Sequence, residues 1–171
     1  MPPNSGLQSD APSTARARSR TLGVKMKKPV VQLEHTGCGI ASAAAIVGLS
    51  YPEMKSIANS LGIFARDESL WSDTSHVRKM LRHLGVRTHS REVPFHSWEV
   101  LPDLALLSIK WHLEKGCPYW HWALFVRENG QSYVLDSKKS LRTNLRTDFG
   151  RMRPKWYIPV TDTQFTLDRL K

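Results

Sequence analysis

VQLEHTGCGIASAAAIVG, residues 31–48, decides how the rest of the chain is read. From Cys38 to Val47 the residues are apolar on nearly every face. A helix of that kind belongs inside a domain rather than on its surface, and Gly48 is its expected C-terminal stop. The predicted helix therefore opens on a cysteine. A thiol in the first turn meets the unpaired N–H groups and the positive end of the helix dipole, and both favour thiolate over thiol. Upstream, Gln32 precedes Cys38 with five residues between them.

The flanking segments predict helices first and a sheet second. Ser50-Tyr51-Pro52-Glu53 reads as a capping box with proline in the first turn, and Met54, Ile57, Ala58 and Leu61 form an apolar stripe closed by Gly62. A third helix follows Asp73-Thr74, with Val77, Met80, Leu81 and Leu84 inward and Gly85 as its stop. Strands are expected over 86–93, 104–111, 121–127, 131–136 and 157–160, with a tight hairpin at Glu128-Asn129-Gly130. The expectation is an α+β domain with an antiparallel sheet. No internal repeat is present.

Length and charge bound the function. The 171 residues suffice for one domain with a sizeable core, expected over 29–160. No apolar run approaches the roughly 18–20 residues that a membrane span needs. The first thirty residues lack the apolar core and small-residue cleavage site of a secretory signal. Two cysteines do not make a disulfide framework, so a reducing cytoplasm is expected, with any export by a route independent of a signal peptide. Half of the net charge of +10 falls in residues 1–28, which are rich in Pro, Ser and Arg and poor in large apolar residues. That segment is expected to be a disordered basic tail; residues 161–171 are expected to form a C-terminal tail.

Chemistry enters with two later segments. CPYWHWALFV (117–126) puts His121 at the start of an apolar strand, and YVLDS (133–137) puts Asp136 at the end of the next. Proton transfer from Cys38 to His121 gives a thiolate–imidazolium pair, with Asp136 fixing the tautomer and orientation of the ring. The Gln32 amide and the Cys38 backbone N–H are the candidate oxyanion donors. No cofactor and no metal is expected.

Cysteine, histidine and aspartate in that order, with a glutamine ahead of the cysteine, resemble a papain-like cysteine peptidase. More closely, the chain resembles the C39 peptidases, which trim bacterial leader peptides; the likeness covers roughly Val31 to Val160. It departs at Gly37, where the family usually has Asp, and at Ile40 and Ser137, where it commonly has Pro. The resemblance implies a papain-like fold, with the nucleophile at the N-terminus of the central helix and the histidine presented from the sheet. It implies cleavage after glycine or another small residue, in a narrow groove for which Trp120 and Trp122 are the candidate walls, Trp122 being equally a candidate core residue of its strand. It is compatible with a maturation protease beside a transporter, or with a delivered antibacterial toxin that has an immunity partner.

Other readings stand beside this one. The same triad serves other amide hydrolases and acyl transferases. His35, Cys38, Cys117 and His121 have spacings that suit a zinc site. Lys138, Lys139, Arg142, Arg146, Arg151, Arg153 and Lys155, followed by Trp156 and Tyr157, form a basic and aromatic run that suits an acidic protein or peptide substrate better than nucleic acid. Cys117, followed by Pro118, is read as structural, and His35, His76, His83, His89, His96 and His112 as solvated or capping groups.

Overall fold

The computed structural model describes residues 26–162; the expected tails lie outside the described residues up to position 25 and from position 163. Three helices and an antiparallel sheet make a mixed α/β architecture. Helix α1 spans Cys38–Val47, and every residue but Val47 is buried. It ends where Gly48 turns left-handed at φ 77° and returns its N–H to the Ala44 carbonyl. Helix α2, Tyr51–Ser60, starts at the expected capping box of Ser50 and Glu53 and turns Tyr51, Met54 and Ala58 inward. Helix α3, Ser75–His83, buries His76, Val77, Met80 and Leu81.

The strands are β1 (Arg87–Thr88), β2 (Val93–Pro94), β3 (Leu104–Glu114), β4 (Cys117–Glu128), β5 (Gln131–Asp136), β6 (Leu145–Arg146) and β7 (Trp156–Asp162). They run in the order β1-β7-β3-β4-β5-β6, with β2 also on β7. Two differences from the sequence expectation have local causes. The single strand over 86–93 becomes two short ones, because His89 and Arg91 make a turn in which the Arg91 N–H reaches the His89 ring. The β3–β4 hairpin reaches further than expected because Lys115 and Gly116, at φ 49° and 79°, supply a second tight turn of the kind whose positive φ matches strand twist.

Both sheet faces are covered. Along β4, Trp120, Trp122, Leu124 and Val126 join the core under the helices, while Ala123 and Phe125 join a second cluster with Leu107, Ile109 and Tyr157. Trp98 and Phe149 pack against that second cluster. Helix α1 lies on β4 and β5, the two strands that carry His121 and Asp136.

The folded part begins ahead of Pro29. The Lys27 ammonium donates to the Ile46 carbonyl at 2.8 Å, and its backbone N–H to Glu128 at 3.1 Å. A cation is favoured at that helix end by the negative pole of the dipole. At the other end β7 runs to Asp162, two residues beyond the expected domain limit.

Candidate active site

Three of the residues singled out by sequence come together. His121 Nε2 lies 2.7 Å from Asp136 Oδ1, and Cys38 lies close enough to the ring to act on it electrostatically. Cys38 is 1% exposed and opens α1 without a side-chain cap on its N-cap residue, Gly37. No N-cap side chain therefore covers the first-turn N–H groups beside the sulfur.

Asp136 is fully buried, yet it has a complete set of partners. Besides His121, it accepts from Arg146 Nη1 at 2.9 Å and from the Lys138 backbone N–H at 3.1 Å. Burial pushes its carboxyl up, but His121, Lys138 and Arg146 outweigh that and hold it at about 2. Burial would likewise lower His121; the hydrogen bond with Asp136 and the nearby Cys38 raise it to about 9. Arg146 in turn is held by both oxygens of Asp148, at 2.8 and 2.9 Å. Imidazole, carboxylate, guanidinium and a second carboxylate form one continuous chain, with the thiol near its imidazole end.

The Gln32 segment is tied to the same strand end. Its backbone N–H donates to the Ser137 carbonyl at 3.0 Å, and its Oε1 accepts from the Ser137 hydroxyl at 2.8 Å. The Gln32 Nε2 donates to the carbonyls of Glu34 and His35 at 3.0 and 2.8 Å. Its donors are thus engaged within its own loop. Behind the cysteine, Tyr51 donates to Glu34 at 2.6 Å, and Lys55 forms an ion pair with the same carboxylate.

Glycines bracket the thiol for steric reasons. A Cβ at Gly37 would stand 2.0 Å from the Tyr51 hydroxyl, and one at Gly39 would stand 2.3 Å from His76 Nε2. His76 is buried rather than solvated, because its Nδ1 pairs with Asp73 at 2.9 Å while its ring meets Trp122 edge-on.

A cleft of about 430 Å³ opens beside these residues, lined by Gln32 and His121 together with His35, Trp71, Trp120, Lys110 and Lys138. Trp120 borders it, as expected of a groove wall. Trp122 does not: it is fully buried and packs edge-on against Trp120 and Trp156. Both tryptophans share one face of β4, but Trp122 lies deeper along the strand, where the core covers it completely. The opposite wall was missed by sequence. A 3-10 turn over Glu68–Ser72 presents Trp71, which meets His35 edge-on, so His35 is a cleft residue rather than a capping group. A lone tryptophan in the polar stretch ARDESLWSD was the available signal.

The other two readings are redrawn. Cys38 is buried while Cys117 is exposed on β4, and among the described residues no group of three or more His, Cys, Asp or Glu is arranged to hold a metal. The basic run is divided: Arg146 is committed to Asp136 and Asp148, Lys138 lines the cleft, and Lys155 lies 4.8 Å over the Trp111 ring. Among the described residues no helix is long and apolar enough to cross a membrane.

No family model matches the chain, and no curated protein matches its sequence.

Proposed function

We propose that the protein is a cysteine peptidase of papain-like, C39-like type, acting on a protein or peptide. The observation that carries this reading is His121, bonded to a buried, fully partnered Asp136 and close to a cysteine at a helix N-terminus. The thiol gives up its proton to the neighbouring imidazole, which Asp136 holds and whose charged form it favours, and the resulting thiolate attacks the scissile carbonyl. The oxyanion is met by the Cys38 backbone N–H and by the Gln32 amide, which exchanges one of its loop carbonyls for the developing charge. His121 then protonates the leaving amine, and water hydrolyses the thioester.

Trp120 narrows the cleft beside His121, which supports a preference for glycine or small residues before the scissile bond. Both a maturation protease and a delivered toxin fit this chemistry. The test is turnover of a peptide library by wild type and by Cys38→Ala. The variant keeps the fold, since alanine suits a helix start, and it loses all cleavage. Undiminished cleavage by Cys38→Ala overturns the assignment, and loss with Cys117→Ala instead moves the nucleophile.

A further inference from the structure

Two ammonium groups stand at the cleft on the His121 side. Strand β3 carries a bulge between Ile109, opposite His121, and His112, opposite Tyr119. Within it Lys110 adopts φ 53°, a left-handed backbone that is uncommon for a residue with a side chain. Bulges of this kind re-aim a side chain, and Lys110 lines the cleft. Lys138 reaches the same cleft from the segment just after β5, while its backbone N–H holds the Asp136 carboxylate.

Neither ammonium has a carboxylate within ion-pair distance among the described residues. The nearby carboxylates are taken: Asp136 by His121 and Arg146, and Asp148 by Arg146. The cleft's two glutamates, Glu68 and Glu114, lie toward Tyr119, whose hydroxyl both influence, and Glu114 also meets His112 at 3.1 Å. Partial burial and then the neighbouring Lys138 lower the pKa of Lys110, against the opposing pull of the Asp136 carboxylate.

The leaving amine takes its proton from His121, so the leaving half of the substrate lies along His121's flank of the cleft. We infer that Lys110 and Lys138 form a subsite for a carboxylate on the leaving-group half of the substrate. This rests on the peptidase reading and names the substrate class of that same site. The carboxylate comes from an Asp or Glu side chain close after the scissile bond, or from the substrate's own C-terminus.

The experiment uses internally quenched peptides that the wild-type chain cleaves. Glu is exchanged for Gln at each of the first positions after the cut, with free and amidated C-termini. The wild type favours the carboxylate over its amide by about tenfold or more in kcat/KM. That ratio, measured within one variant and so independent of how much of it is folded, falls toward one in K110Q/K138Q. Lys138→Glu reverses it in favour of a Lys-bearing substrate. Discrimination at Glu against Gln assigns the side chain as the source, and discrimination at the free against the amidated terminus assigns the chain end. Equal rates throughout in the wild type overturn the subsite, as does a ratio that survives in the double variant, while Cys38-dependent cleavage leaves the peptidase reading standing. If no peptide is cut, that reading fails by itself; the same Glu and Gln peptides are then titrated against Cys38→Ala by fluorescence, and equal affinities overturn the subsite.

Discussion

Two histidine–aspartate pairs flank the start of α1, and their difference shows what makes a site. His121 and Asp136 meet at 2.7 Å, His76 and Asp73 at 2.9 Å. Both rings are mostly enclosed, with 16% and 3% of the side chain exposed. They differ on the side of the second ring nitrogen. For His121 that side has the cleft and a nearby Cys38. The second nitrogen of His76, Nε2, is buried against Gly39 with no hydrogen-bond partner. The aspartates differ too: Asp136 is wholly buried and clamped by Arg146, whereas Asp73 is about a third exposed and serves the first turn of α3. A histidine–aspartate contact alone is therefore no mark of a site; the nearby thiol and the cleft are what support the catalytic reading of His121.

The sharpest way to break this comparison is to remove each ring. His121→Ala lowers turnover by roughly 10⁴- to 10⁶-fold, because nucleophile and base act as a unit. His76→Ala instead costs about 2–4 kcal/mol of stability through the space it leaves against Gly39, read by urea unfolding. A protein that loses catalysis with His76 and keeps it without His121 reverses the two roles. Asp136→Asn comes next, with a loss on the order of 10²- to 10⁴-fold in kcat, since the carboxylate orients and stabilises the ring without reacting. Full activity in that variant shows that Asp136 has no catalytic part.

Gln32→Ala lowers kcat by about 10²- to 10³-fold with little change in KM, provided its amide turns to the oxyanion. An effect confined to KM or stability keeps Gln32 as a loop brace. The smallest effect is the pH dependence of stability. His121 is raised from 6.5 to about 9, so the stability it contributes is complete below about pH 6.5 and is lost as pH rises through about 9. Asp136 is lowered from 3.8 to about 2, so its contribution is present above about pH 3.8 and is lost as pH falls through about 2. Unfolding free energies measured from pH 6 to 10 decline in the wild type and stay flatter in His121→Ala. Parallel curves for the two contradict the raised value.

The parts of the fold that sequence made legible rest on local rules. Cys38–Val47, the Ser50–Glu53 cap and the Asn129-Gly130 turn each specify their structure within a few neighbours. The triad was legible because its members sit at element ends, where a polar residue beside an apolar run stands out. What depends on distant contacts was not. Arg146 looked like one more cation in a basic run, and only the β5–β6 pairing brings it to Asp136. The bulge at Lys110 is a matter of register between β3 and β4. Trp122 was misplaced because alternation gives a residue's face, while burial depends on what covers that face.

The glycines on either side of Cys38 turn packing into a rule about how this chain can diverge. The Tyr51 hydroxyl occupies the place of a side chain at position 37, and the His76 ring does so at position 39. An aspartate before the cysteine is therefore incompatible with Tyr51 in its present position. The two positions are coupled. A descendant that gains a side chain at 37 must give up the tyrosine at 51, and with it the hydroxyl now bonded to Glu34. Likewise a residue larger than glycine at 39 demands a smaller one at 76. Substitutions at 51 and at 76 relieve the shortest contact at 37 and at 39 respectively, and a single step at either glycine requires Tyr51 or His76 to move.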